Sequence, residues 1–410
     1  MPAHPRPAYD RSALRLGAVL VAAAVALGVT AGGTAALPRQ PTGDAQRVLD
    51  AQAAAVRAGD RARFTATLAP GAYRDRQEQV FTNLARLPLA AWRYRVTAVE
   101  AATDTSMTVA ATLTYRLRGF DAAPVSRARH ATLTRTGASW RVSGDGTAYG
   151  RPDAPDIWAA GPLTVVRDHA ALVLGAGVPS ARLRDLARRA AAAIRRVDAV
   201  WTSRWARRVV LLVPPDERRA AALAGARGTT EIGSLAALAT VASGPDGTPP
   251  PGSGDRVVLA PDGFARLSGL GRDVVLTHEL THVATRAATT ASTPLWLVEG
   301  FADYAGYRGR GVPVRTAAQE LAAGVRRTGP PSALPGDAAF AGTARALPQA
   351  YEQAWLACRL IAARYGETRL IRLYTAAGRG STDHALRGVL GTGTTAFTAA
   401  WRSYLQRELN

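Results

Sequence analysis

The chain has 410 residues, 47% of them hydrophobic but only 6% aromatic, and a formal charge of +20. That length has room for two or three domains, and a single cysteine, Cys358, excludes an internal disulfide. All 51 basic residues are Arg, and they form no dense block interleaved with aromatics, so the charge suits an anionic surface and excludes a nucleic-acid groove.

Arg6, Arg11 and Arg15 precede an uncharged apolar run, Leu16 to Leu37. This pattern reads as a secretory signal or a retained membrane anchor over 1–37. It predicts a chain that is extracytoplasmic, either secreted or held by a single membrane-spanning helix. Pro38 to Gly43 reads as a linker. Residues 44–70 show helical spacing in Val48, Leu49, Ala53, Val56, Phe64 and Leu68, and Gln77 to Leu87 adds a second helical piece. The period then changes to two in Trp92–Val96, Met107–Tyr115, Arg127–Thr134 and Ser139–Val142, which predicts four strands with a turn at Gly137 and Ala138. Helices followed by a curled antiparallel sheet make 44–149 an α+β domain. The order resembles the nuclear-transport-factor-2-like cone fold, which implies no activity of its own. His130, the only His there, reads as structural or exposed.

The Pro-rich stretch Gly150 to Asp156 marks a boundary, so 156–410 reads as a second domain. Leu163–Val166 and Ala171–Leu174 are predicted strands, with His169 exposed in the turn between them. Ala181 to Trp205 reads as a helix with Arg on its outer face. Val209–Val213 is an apolar run ended by Pro214 and Pro215, as in a buried strand, and Arg218–Leu223 reads as a short helix. Glu231–Ser243 and the strand Arg256–Ala260 bracket a Gly-, Pro- and Ser-rich loop, 244–254, expected beside a cleft.

The next segment is Asp273-Val-Val-Leu-Thr-His278-Glu279-Leu-Thr-His282-Val283. On a helix, residues four apart share a face, so His278 and His282 can offer two imidazoles to one ion while Glu279 points at a water. Asp273 is the expected N-cap. The motif alone also fits a surface helix with two His. The following helix, Leu295 to Tyr304, changes the weighing: Thr293 and Pro294 suit its start, and Glu299 and Asp303 lie four apart. A catalytic metal site takes three protein ligands plus water. Glu299 supplies the third, and Asp303 is placed to accept the free ring N–H of His278.

His278-Glu279-x-x-His282, a gap over 283–298 and the Trp-Leu-x-Glu-Gly-x-Ala-Asp run at 296–303 together resemble the gluzincin, peptidase-MA-like zinc metallopeptidases. The Arg and Ala usage resembles actinobacterial proteins. The resemblance implies one Zn²⁺ per chain on His278, His282 and Glu299, with Glu279 as general base and Asp303 behind His278. It also implies a peptide or protein substrate, its backbone held by an edge strand for which 256–260 is the candidate; the alternative for that segment is an ordinary interior strand. Ala350-Tyr351-Glu352 is similar to a family segment whose Tyr donates to the oxyanion, which makes Tyr351 a catalytic candidate; the alternative is a surface aromatic. Two departures stand out. No Gly-x-Met-Glu-Asn stretch precedes His278, so an exopeptidase is not implied, and Val298 stands where relatives carry a polar residue. The alternative function is a non-catalytic zinc-fold envelope protein that binds or scaffolds.

After Tyr307 the sequence predicts helices at Val314–Ala323, Tyr351–Tyr365, Arg369–Ala376, Ser381–Val389 and Ala396–Leu409, with Cys358 a buried core residue and His384 facing solvent. The expected fold is therefore α+β: an N-terminal signal or anchor, a cone-like domain, and a zincin-like domain with a small sheet and a mostly helical C-terminal half.

Overall fold

The computed structural model of the chain describes residues 39–226, 236–242, 244–341, 344 and 346–410. The expected signal or anchor over 1–37 lies outside the described residues. Among the described residues no helix is long and apolar enough to cross a membrane.

Three helices open the fold: α1 (Arg39–Ala58), α2 (Arg61–Ala66) and α3 (Ala72–Leu84). Helix α1 begins inside the expected linker and buries Ala45, Leu49, Ala53 and Val56, one stripe of a 3.6-residue period. Asp60 caps α2 by accepting from the Arg63 N–H at 3.0 Å. An antiparallel meander follows, β1 (Leu89–Ala102), β2 (Ser106–Leu117), β3 (Val125–Thr136) and β4 (Ser139–Gly144), paired in sequence order. The predicted strands all fall within it. Gly137 takes φ 61° in the β3–β4 turn, the left-handed conformation that a Gly adopts without strain.

The second sheet has five strands in the order β5-β6-β7-β9-β8: β5 (Leu163–Arg167), β6 (Ala171–Ala176), β7 (Val209–Val213), β8 (Ala237–Val241) and β9 (Asp255–Leu259). Strands β6, β7 and β9 run parallel, and β5 and β8 flank them antiparallel. Strands β6, β7 and β9 are buried throughout; β6 and β7 are continuous apolar runs, and β9 opens with the buried, ion-paired Asp255 and Arg256. Helix α4 (Ser180–Asp198) packs on this sheet and is shorter than expected. Past it, Val200 and Trp201 are buried, and the Trp205 indole N–H turns back to Asp198 at 2.7 Å. Helix α5 (Glu217–Ala224) follows β7.

From residue 261 onward the described chain is helical: α6 (Pro261–Arg266), α7 (Gly269–Thr285), α8 (Leu295–Tyr307), α9 (Val314–Ala317), α10 (Gln319–Thr328), α11 (Leu347–Tyr365), α12 (Glu367–Ala377), α13 (Thr382–Leu390) and α14 (Thr394–Leu409). The helix expected over 314–323 is broken at Ala318, whose φ of −119° ends α9. Cys358 is a buried free thiol, and His384 and His169 are exposed, as read from the sequence.

The two halves share one buried apolar core. Residues 151–156 carry no regular structure, as the boundary required, yet they are tied down: Asp153 binds His130, and Asp156 pairs with Arg127 and Arg129. The loop 244–254 bridges the first sheet and the end of α7, one turn past His282. It lies on the first sheet, where Ala123 N–H donates to Ser253 Oγ (2.6 Å) and Ala122 N–H to the Gly252 carbonyl (3.0 Å). At its end, Arg256 makes a two-point ion pair with Asp121 at 2.9 and 3.0 Å, both side chains almost fully buried. Burial of an Arg is tolerated only with such a partner.

Candidate metal centre

Helix α7 begins at Gly269, where the Ser268 hydroxyl caps it by accepting from the Gly271 N–H at 3.1 Å. Asp273 is therefore not the cap. It sits one turn in and takes two guanidiniums instead, Arg189 at 2.6 Å and Arg310 at 3.3 Å. Helix α8 starts one residue past Pro294, and its first free N–H, that of Leu295, is taken by the distant Asp337 carboxylate at 2.9 Å rather than by Thr293.

Together the two helices bring His278, His282 and Glu299 into one cluster, their ligand atoms all within 4.8 Å of one another. The two Nε2 atoms are 3.0 Å apart, and Glu299 Oε2 lies 3.3 Å from His278 Nε2 and 3.5 Å from His282 Nε2. The Glu299 side chain is fully buried, and neither of its oxygens has a hydrogen-bond partner. A buried carboxylate without donors is costly unless a cation answers it. On the far side of His278, Nδ1 is 2.7 Å from Asp303 Oδ1, so Nδ1 carries the proton and the Nε2 lone pair faces the cluster. Two imidazole nitrogens and one carboxylate oxygen form a donor set that could hold a divalent metal ion.

The local electrostatics agree. Burial alone would raise Glu299, but the imidazoles of His282 and His278 bring it down to about 2. Burial would lower His278, yet Asp303 and then Glu299 lift it well above its ordinary value. Anions thus crowd these imidazoles, and a proton or a metal ion is attracted to the same place. Glu279 is buried too, and burial raises its carboxyl above the usual range.

Strand β9, the sequence candidate for a substrate-holding edge, is an interior strand. It is paired to β7 at Leu211–Val257 and to β8 along its length. Among the described residues β8 is the edge on that side of the sheet, β5 being the other edge. The Ala260 N–H donates to the Ala236 carbonyl and the Ala242 N–H to that of Gly254, so even-numbered residues of this stretch face β9. Ala237, Ala239 and Val241 therefore turn their backbone groups to the open side. The Ala239 N–H donates to Glu279 Oε2 at 2.7 Å, so that open side looks onto the metal helix. The sequence reading missed β8 because its alanine-rich stretch shows little β-branched character and no alternation.

Tyr351 on α11 is buried, with its ring 6.3 Å from that of His278 and 5.4 Å from Phe340. The surface-aromatic alternative does not hold. Gly300, next to the ligand Glu299, is a further residue the site needs: a Cβ there would lie 2.2 Å from the Ala354 carbonyl oxygen. Only Gly lets α8 approach α11 this closely. Arg286, one turn past His282, donates to the Asp255 carboxylate at 2.5 Å and to the Ser253 carbonyl at 3.1 Å, tying α7 to the 244–254 loop.

No protein-family model and no curated protein matches this chain.

Proposed function

We propose that this chain is a zinc-dependent peptide hydrolase of the gluzincin kind. The observation that carries the reading is the buried cluster of His278, His282 and Glu299, with Glu279 beside it and Asp303 behind His278. Zinc suits a site of two imidazoles and one carboxylate that leaves a fourth position open. When bound, zinc would acidify a water and polarise a substrate carbonyl.

Glu279 takes the proton from the attacking water and returns it to the departing amine. The substrate backbone adds to the open side of β8 through Ala237 and Val241, which flank the Ala239 N–H held by Glu279, an extended-strand mode that favours peptides over other acyl compounds. Tyr351, lying against His278, donates to the oxygen that becomes negative. Asp303 keeps His278 in the tautomer that leaves Nε2 free. The same reading takes the first 37 residues as the export signal or anchor and the first sheet with its helices as a nuclear-transport-factor-2-like module.

A second reading, a zinc-fold envelope protein without turnover, draws on one contact. The Glu279 carboxylate is already engaged by the Ala239 N–H, where a hydrolase must present it to water. Metal analysis of the purified protein and of Glu279→Gln, each then tested on a peptide library and casein, separates the two. The hydrolase reading expects one zinc in both proteins and a fall in turnover of about 10²-fold or more in the variant. Zinc with no turnover in the parent protein selects the scaffold, and unchanged turnover in the variant removes Glu279 from the chemistry.

A further inference from the structure

Strand β5 is the edge of the second sheet opposite β8. At its two ends the Pro162 carbonyl accepts from the Gly177 N–H at 2.8 Å and the Asp168 N–H donates to the Ala171 carbonyl at 2.9 Å, so even-numbered residues face β6. Leu163, Val165 and Arg167 therefore turn their backbone groups outward. Leu163 is closed off: its N–H donates to Asn83 Oδ1 at 3.0 Å, and its carbonyl accepts from the Arg86 guanidinium. Among the described residues the outward groups of Val165 and Arg167 have no such partner, which leaves them free to pair with a further strand.

An open cleft of about 640 Å³ runs along this edge, lined by Arg86, Leu87 and Pro88 on one side and by Thr164, Val165 and Arg167 on the other. With ~3.4 Å of rise, ~4.8 Å between strands and ~10 Å through the side-chain layer, a strand residue fills about 160 Å³, so the cleft takes about four residues. Four arginines gather here. Arg86 and Arg167 line the cleft, and the Arg118 N–H donates to the Pro88 carbonyl at 2.6 Å. Arg208 donates to the Gly119 carbonyl at 2.6 Å, and a Cβ on Gly119 would lie 3.8 Å from Arg167 Nη2 and 3.9 Å from Arg208 Nη1. Among the described residues no carboxylate pairs with any of the four: their side chains meet carbonyls or, for Arg167, the Phe120 ring at 5.9 Å. Asp168, the sequence neighbour of Arg167, turns its carboxylate to the Ala170 and Ala171 N–H groups at 2.7 and 2.6 Å instead.

We infer that the β5 edge is a docking site for a short, extended, acidic peptide segment, which pairs with the backbone of Val165 and Arg167 and sets its carboxylates against Arg86, Arg118, Arg167 and Arg208. The open backbone supplies pairing that any extended segment can use, and the arginines choose among segments. A second copy of this chain does not fit: edge to edge it would bring the same four arginines together, on a chain of formal charge +20. Arg86 on the Leu163 carbonyl stops the added strand at that end. Acidic residues in the partner must alternate, because every second side chain of a strand shares a face. The site lies across the sheet from β8 and does not rest on the hydrolase reading.

The test titrates the full chain with a six-residue peptide of alternating Glu and Val, blocked at both ends, and with its Gln counterpart. Calorimetry reads affinity, hydrogen exchange reads location, and mass spectrometry checks that the peptides stay intact. Saturable binding of the Glu peptide is expected, at least about threefold tighter than the Gln peptide, with slowed exchange over residues 163–167; that ratio is what two or more exposed ion pairs supply. The double change Arg86→Gln with Arg167→Gln should bring the Glu peptide down to the Gln level. Val165→Pro, which removes an outward N–H and no bond to β6, should weaken both peptides by a similar factor. Absence of saturable peptide binding, with or without arginine-dependent binding to phosphatidylglycerol vesicles, overturns the inference. So does equal affinity for the two peptides, or protection over 237–241 in place of 163–167. Should Val165→Pro fail to fold, the arginine variant and the exchange pattern decide.

Discussion

Asp303 touches no substrate, yet it decides which nitrogen of His278 is free. Replacing it with Ala removes the acceptor from Nδ1, so the ring can rotate or carry its proton on Nε2. Metal affinity, read by chelator competition, should fall about 10–100-fold while the folded circular dichroism spectrum is kept. An unchanged affinity would mean that packing alone orients His278. Glu352, beside Tyr351, makes a different prediction. It accepts from the Leu321 N–H at 2.5 Å, and burial, with the nearby Glu320 carboxylate, raises it to about 10. The folded chain therefore holds a proton that the unfolded chain releases near pH 4.5. Stability from this group is full below that pH and declines as pH rises toward 10, by at most ~1.4 kcal/mol per pH unit. Glu352→Gln mimics the protonated form, so urea midpoints at pH 5, 7 and 9 should decline less than in the parent. An identical slope in both proteins would show Glu352 ionised in the fold.

At the scale of elements, the site depends on how closely α8 lies against its neighbours. Glu299 reaches the two imidazoles because Gly300 admits the α11 backbone and Gly306 admits Val274 of α7. Gly300→Ala places a methyl against a carbonyl that cannot swing aside. Overpacking of this kind costs about 1–3 kcal/mol, and the displacement falls directly beside Glu299 of the candidate metal centre. Both the melting temperature and the metal affinity should drop, whereas Gly388→Ala, on an exposed turn of α13 with open space around it, should raise the melting temperature slightly and leave the metal affinity unchanged. Loss of stability without loss of metal affinity would show that α8 relaxes away from the ligands.

For the molecule as a whole, the seam between the sheets matters more than the boundary at residues 150–156. The Asp121–Arg256 pair, the 244–254 loop and Arg286 form a continuous polar path from the first sheet to the end of α7. Asp121→Ala strands a buried guanidinium, a change that typically costs about 3–5 kcal/mol. Because both halves share one core, calorimetry should show the variant unfolding in a single transition at lower temperature. Two separated transitions in the parent protein would instead establish independent domains.

The elements and the cluster of His278, His282 and Glu299 were legible in the chain because their signals are local. The 3.6 period of α1, the alternation in β2 and β3, and two pairs of ligating and orienting residues spaced four apart on successive helices are fixed by backbone geometry alone. The edge strand, the caps and the packing of the 244–254 loop were not legible, because each depends on a partner distant in sequence. Asp337 caps a helix 42 positions earlier, Asp121 receives an arginine 135 positions on, and Ala239 reaches a carboxylate 40 positions on. Hydrophobic periodicity says which face of a strand is buried, but whether it lies at the edge or the interior of a sheet is settled only when the neighbouring strand is in place.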